Sequence, residues 1–203
     1  KFNPIPTIRT PKVQRKKKKP TISPLEQQQL IEILLSETNG LCYIFIMNTG
    51  VRPGENGGMK WKHYSYEDAN VKVRDNYGKV TYYDDNFEKI ESKFEEKDLK
   101  TPSSYRNITL QKWLNNMMYA YMQYIMEQRS YTKKEQLDDE YIFMNSLGHA
   151  LSSDYLWDTL DKILKRHNFK HLSVYQLRHL FATRCIDVNI PVSGVKKLEI
   201  QVY

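Results

Sequence analysis

Apolar residues recur every three or four positions over most of this chain and at alternate positions over one stretch near its middle. Leu30, Ile33 and Leu34 share one face of a first helix. Ser23 and Pro24 supply its cap oxygen and first-turn proline, Glu26 adds a first-turn acid, and Thr38-Asn39-Gly40 is the expected end. Leu41 to Asn48 is almost wholly apolar, which predicts a buried helix, with Gly50 as its terminating glycine. Gln111 to Gln128 returns to helical period, with Leu114, Met117, Met118, Tyr121 and Ile125 on one face. That methionine and tyrosine stripe reads as core rather than as a binding groove. Ser152 and Ser153 offer caps for a helix through Arg166, with Leu156, Leu160, Ile163 and Leu164 inward. Val174 to Val188 predicts another amphipathic helix, and Pro191 to Leu198 starts one more.

Between these helices the period changes. Val71, Val73, Val80, Tyr82, Tyr105, Ile108 and Leu110 lie in short alternating stretches, and Asn76-Tyr-Gly78 has the composition of a hairpin turn. The expectation is a small antiparallel sheet with a long charged excursion from Asp84 to Asp98. Tyr141-Ile-Phe-Met144 is a short apolar strand or turn. The fold class is therefore mainly α with a small antiparallel β-sheet (α+β).

Composition adds an arm and a charge. The chain has 203 residues, enough for one domain plus an extension. Residues 1–20 hold four prolines and the basic run Arg15-Lys-Lys-Lys-Lys19. Proline blocks regular pairing and like charges repel, so this segment is an extended basic arm or linker, and the domain proper runs over 21–203. The net charge of +7 suits a polyanionic partner, nucleic acid or an anionic membrane surface. No apolar run approaches the roughly 20 residues of a membrane span. Cys42 and Cys185 fall in apolar helical segments and read as buried free thiols in a reducing compartment. No Cys/His spacing suggests zinc, and no carboxylate cluster suits magnesium.

Two arginines stand out against this background. Arg52, in Asn48-Thr-Gly-Val-Arg-Pro-Gly-Glu55, and Arg178, in Tyr175-Gln-Leu-Arg-His-Leu-Phe-Ala-Thr183, each sit at a helix edge inside an otherwise apolar segment. An arginine there must find an anion or water, because an unpaired buried charge is costly. Two guanidinium forks that converge suit the oxygens of one phosphate. Leu177, Leu180 and Phe181 would pack the second helix inward and fix Arg178.

These segments, in this order, resemble the catalytic domain of the tyrosine recombinases, the phage and transposon integrase family. Asn48 to Glu55 is similar to the family's Thr-Gly-x-Arg-x-x-Glu box, Lys100-Thr-Pro-Ser-Ser-Tyr-Arg-Asn-Ile-Thr-Leu110 to the hairpin presenting its lysine, and Tyr175 to Thr183 to its His-x-x-Arg box. The resemblance covers about Thr21 to Leu198 and implies a fragment that begins just after a separate DNA core-binding domain. It implies that Arg52 and Arg178 bind the scissile phosphate and that Lys100 is the general acid toward the leaving 5′-hydroxyl, with Lys97 and Arg106 as competing assignments. Glu55 would hold Arg52 or a nearby amide. Tyr175 replaces the family's usual histidine; a phenol with a pKa near 10 can donate a hydrogen bond to phosphate but is a poor base at neutral pH. His149, in Leu147-Gly-His149, precedes Arg178 and so does not match the family's Leu-Gly-His box, while His179 matches a histidine that is usually structural. The family's nucleophilic tyrosine comes after Leu198. Either residues are absent between Leu198 and Tyr203 and Tyr203 is that nucleophile, or the chain carries only the phosphate-binding part of the site.

By resemblance, then, the expected activity is site-specific cutting and rejoining of double-stranded DNA attachment sites through a 3′-phosphotyrosyl link. It would serve integration or excision of a phage or mobile element and act as a tetramer on DNA in the bacterial cytoplasm. Neither ATP, metal nor other cofactor is implied, nor a membrane or a small-molecule substrate. The alternatives are a non-catalytic DNA-binding protein or decayed integrase fragment, and a helical protein-interaction domain with an incidental basic arm.

Overall fold

A computed structural model describes residues 22–99 and 104–187. The basic arm, Lys100, the helix expected from Pro191 and Tyr203 lie outside the described residues.

The first helix, α1 (Pro24–Leu35), begins as its sequence dictates. Ser23 accepts from the amide of Glu26 at 3.3 Å, and the Glu26 carboxylate accepts from the Ser23 amide at 2.6 Å. It ends at Leu35, earlier than Thr38-Asn39-Gly40, and those residues instead lead into α2 (Gly40–Thr49). Every residue of α2 from Cys42 to Met47 is buried, and Gly50 ends the helix in the left-handed region at φ 67°. The short α3 (Pro53–Gly58) follows at once. After the sheets come α4 (Lys112–Gln128), α5 (Ser153–Arg166) and α6 (Val174–Asp187). In α5 the inward set is Leu156, Leu160, Ile163 and Leu164, under an N-cap in which Ser152 accepts from Tyr155. Leu114 and Met118 of α4 are buried, with Met117, Tyr121 and Ile125 packed partly against the same core. Cys42 and Cys185 are both buried.

The sheet region departs from expectation. A three-stranded antiparallel sheet in the order β1 (Tyr64–Ser65), β2 (Asn70–Val73) and β5 (Arg106–Thr109) backs the core through Val71, Val73 and Ile108. A separate ribbon pairs β3 (Asp75–Tyr83) with β4 (Lys89–Asp98). Asn76-Tyr-Gly78 is therefore not a turn but the start of β3, and Asp84 to Asp98 is mostly a paired strand rather than an excursion. The turn lies at Asp84–Glu88, where the Asp84 side chain accepts from the amides of Asn86 (2.9 Å) and Glu88 (2.8 Å). The start of β3 lies close against the glycines of α3: a Cβ on Gly54 would lie 2.3 Å from the Asn76 side chain, and one on Gly58 would lie 2.8 Å from the Asp75 carbonyl. The ribbon base is thus laid directly on α3.

Candidate active site

The site is assembled where α2 ends, α3 begins and α6 crosses both. Helix α6 packs on α2 with Leu177 and Leu180 buried. Phe181 covers Gly50, where a Cβ would come within 2.6 Å of its ring. Arg178 is buried and donates from Nη1 to the Gly50 carbonyl. One polypeptide step beyond Val51 stands Arg52, so the αL turn at Gly50 brings the two sequence-distant arginine segments together. Further along α6, Arg184 donates to the carbonyl of Met47 and to the Asn48 side chain at 3.0 Å, fastening α6 to the same end of α2.

Arg52 faces a cleft of about 610 Å³ lined by Glu55, Asn76, Tyr77, Lys97, Ser153 and Tyr175 among others. Its side chain is 39% exposed. Tyr175, one turn before Arg178, is 49% exposed and its ring lies 6.2 Å from that of Trp157. Lys97 reaches the cleft from β4 and donates to the Lys79 carbonyl across the ribbon. The structure thus brings Arg52, Tyr175 and Arg178 into one neighbourhood. Lys100 and Tyr203 lie outside the described residues.

Glu55 does both things expected of it. Its Oε2 accepts from the Arg52 backbone amide at 2.9 Å and its Oε1 accepts from Arg52 Nη1 at 2.7 Å. Sequence reasoning missed the other half of this arrangement. Arg106 of β5 donates from Nη2 to Oε2 at 2.7 Å and from Nη1 to Oε1 at 3.2 Å, a bidentate pair in which both side chains are buried. Burial raises the Glu55 carboxyl, but the Arg106 guanidinium and the two Arg52 contacts outweigh it and hold the group below its ordinary value. The signal was present in the strand: Arg106, Ile108 and Leu110 alternate, which puts Arg106 on the core-facing side.

His149 follows Gly148, which has φ 81°, in an exposed turn, and His179 is on the exposed face of α6. Among the described residues no group of three His, Cys, Asp or Glu side chains could hold a metal ion. No helix among them is long and apolar enough to cross a membrane. The cleft presents the Arg52 guanidinium, the Lys97 ammonium and the Tyr175 phenol beside the carboxylates of Glu55 and Asp98, with the buried Arg178 held next to it on the Gly50 carbonyl; its cationic and phenolic donors suit an oxyanion.

Comparison with known proteins agrees with this geometry. A family model described as the phage integrase family matches residues 20–199. A tyrosine recombinase XerC-like protein of Caldanaerobacter subterraneus subsp. tengcongensis is 26% identical over 183 residues, which cover 88% of this chain and 46% of that protein. The chain therefore spans about half the length of this curated relative. Among solved structures, the Tn1549 transposon integrase in complex with transposon right end DNA matches with a TM-score of 0.70 at 13% identity, covering 100% of this chain and 63% of that one. XerA recombinase matches at 0.66 with 16% identity, over 91% of this chain and 57% of the other. XerH site-specific recombinase bound to difH substrate matches at 0.59 with 16% identity, over 95% and 53%. At these identities the structural likenesses establish a shared fold.

Proposed function

Since the chain belongs to the phage integrase family, we propose that it is the catalytic part of a site-specific DNA recombinase. In this reading Arg52 and Arg178 grip the non-bridging oxygens of the scissile phosphate and stabilise the charge that grows on them as phosphorus becomes five-coordinate. A tyrosine phenolate oxygen forms the new bond to phosphorus while the bond to the 5′-oxygen breaks, and the Lys100 ammonium gives that oxygen its proton. Tyr175 donates a hydrogen bond to the same phosphate without acting as base. Tyr203 is the attacking group if the chain's own tail supplies it. The energy of the broken linkage stays in the 3′-phosphotyrosine, so rejoining needs no ATP. The basic arm, residues 1–20, would track DNA phosphates ahead of the 21–203 domain, and four protomers would assemble on paired attachment sites in the bacterial cytoplasm.

The observation that carries the reading is the Arg178 bond to the Gly50 carbonyl, two residues before Arg52, with Tyr175 on the wall of the Arg52 cleft. The test is a nicked duplex that traps cleavage intermediates. A covalent protein–DNA adduct that survives denaturation is expected, and Arg178→Ala should lower its rate of formation by about a hundredfold to a thousandfold. A gel shift without adduct would reduce this chain to a DNA-binding module. Absence of salt-dependent duplex affinity would remove DNA altogether.

A further inference from the structure

Arg184 has no part in the phosphate reading, yet it makes the same kind of contact as Arg178. It stands six residues further along α6, about 9 Å down the helix axis. It donates from Nη2 to the Met47 carbonyl and from Nη1 to the Asn48 side-chain oxygen at 3.0 Å. Arg178 donates to the Gly50 carbonyl. Both guanidinium groups therefore sit on the C-terminal end of α2, where the final carbonyls have no partner within the helix and carry its negative pole. The last turn of α2 contains no basic residue of its own. Helix α6 supplies both cations.

Packing alone does not account for an arginine in this place. Arg184 is partly buried, and among the described residues no carboxylate pairs with it. Burial pulls its pKa below the ordinary value. An apolar side chain would fill the space without desolvating a charge. What the guanidinium adds is direction. Leu177 and Leu180 are buried where α6 meets α2, and Phe181 covers Gly50. Apolar contacts are non-directional, so they do not by themselves set the rotation or the shift of α6 along α2. The polar contact at Arg178 fixes one point. A second, nearly two turns further on, fixes rotation and register together.

We propose that Arg184 is a positioning residue, which docks the far end of α6 on α2 and so holds Arg178 in the orientation in which it meets the phosphate. The proposal rests on Arg178 being a phosphate contact, and the experiment separates the two claims. Guanidinium resonances are recorded by NMR on the full chain with isotope-labelled arginine, and Arg178→Lys identifies the Arg178 set. In the wild type the Gly50 carbonyl should slow rotation of the Arg178 guanidinium and keep its Nη protons resolved. Arg184→Met should collapse them in a chain that circular dichroism shows to be folded. Affinity for a short nicked duplex at one fixed salt concentration is then measured for the wild type, Arg178→Ala, Arg184→Met and the double variant. Arg178→Ala should weaken binding by about tenfold to a hundredfold. Arg184→Met should weaken it by about threefold to tenfold, and the double variant should lose no more than Arg178→Ala alone, because Arg184 acts only through the side chain already removed.

Resolved Arg178 protons in folded Arg184→Met, or losses that multiply in the double variant, would overturn the assignment; the second result would make Arg184 a DNA contact in its own right. Wild-type affinity in Arg178→Ala would instead overturn the phosphate reading, and the NMR comparison would still decide whether Arg184 orients Arg178. Should Arg184→Met fail to fold, Arg184→Gln, which removes the charge but keeps a polar head, takes its place under the same outcomes.

Discussion

The cleft that holds Arg52 and Tyr175 has two walls made in opposite ways. On one side, α2, α3, β5 and α6 fix their side chains by burial: Glu55 between two guanidinium groups, Arg178 on the Gly50 carbonyl, Phe181 over Gly50. On the other side, the β3–β4 ribbon offers Asn76, Tyr77 and Lys97 from strands whose residues are half-buried at best. Its order comes from the ladder of backbone bonds between its two strands, and only its base touches α3. The first wall can hold a charged group in one orientation, because every alternative leaves a buried charge unpaired. The second is held by surface contacts instead: its base lies against Gly54 and Gly58 of α3, and Glu96 is tied to Lys60 and Tyr141.

The sharpest way to break this contrast is to remove the shared carboxylate. Glu55→Ala leaves two guanidinium groups without their common partner and should cost about 3–5 kcal/mol of unfolding free energy, measured by denaturant titration. The sign with pH follows from the lowered carboxyl of Glu55. Its contribution is fully present above the ordinary carboxylate range and is lost as pH falls through that range toward the lower folded value. Wild-type stability should therefore drop on acidification more than that of Glu55→Ala. The next test addresses the joint between the walls. Gly58→Ala puts a Cβ 2.8 Å from the Asp75 carbonyl, backbone that cannot step aside, and should cost about 1–3 kcal/mol with lowered DNA affinity as the ribbon base is pushed off α3. The smallest effect belongs at the far end of the ribbon. Phe87 is 88% exposed and has φ 62°, so Phe87→Gly should leave the thermal midpoint unchanged or slightly raised, within about 0.5 kcal/mol. A large loss there would mean the ribbon tip is packed, and the comparison of walls would fail.

What could be read from the sequence divides along the same line. The capping pair Ser23 and Glu26, the apolar run of α2 ending at Gly50, the inward face of α5 and the two arginine segments all have local patterns tied to burial, and each has its counterpart in the structure. The ribbon escaped because both of its faces are largely open. Glu91, Lys93, Glu95 and Lys97 alternate with residues that are not apolar enough to mark a core side, so β4 resembled a charged loop. Asn76 and Gly78 resembled a turn by composition alone, whereas the close approach that places them in β3 depends on Gly54 and Gly58 of α3. Arg106 was weighed only as a competitor of Lys100, since a buried arginine is legible only when its partner, a strand and a helix away, is known.

The ribbon leaves the three-stranded sheet after Val73, and the sheet resumes at Arg106. Its length is thus independent of everything behind it. Adding or deleting two residues in each strand preserves which side chains face the cleft and moves the tip by about 7 Å. The domain accordingly carries an adjustable ruler, and how far it reaches along a bound partner can be reset by paired insertions while the arginine centre stays as it is.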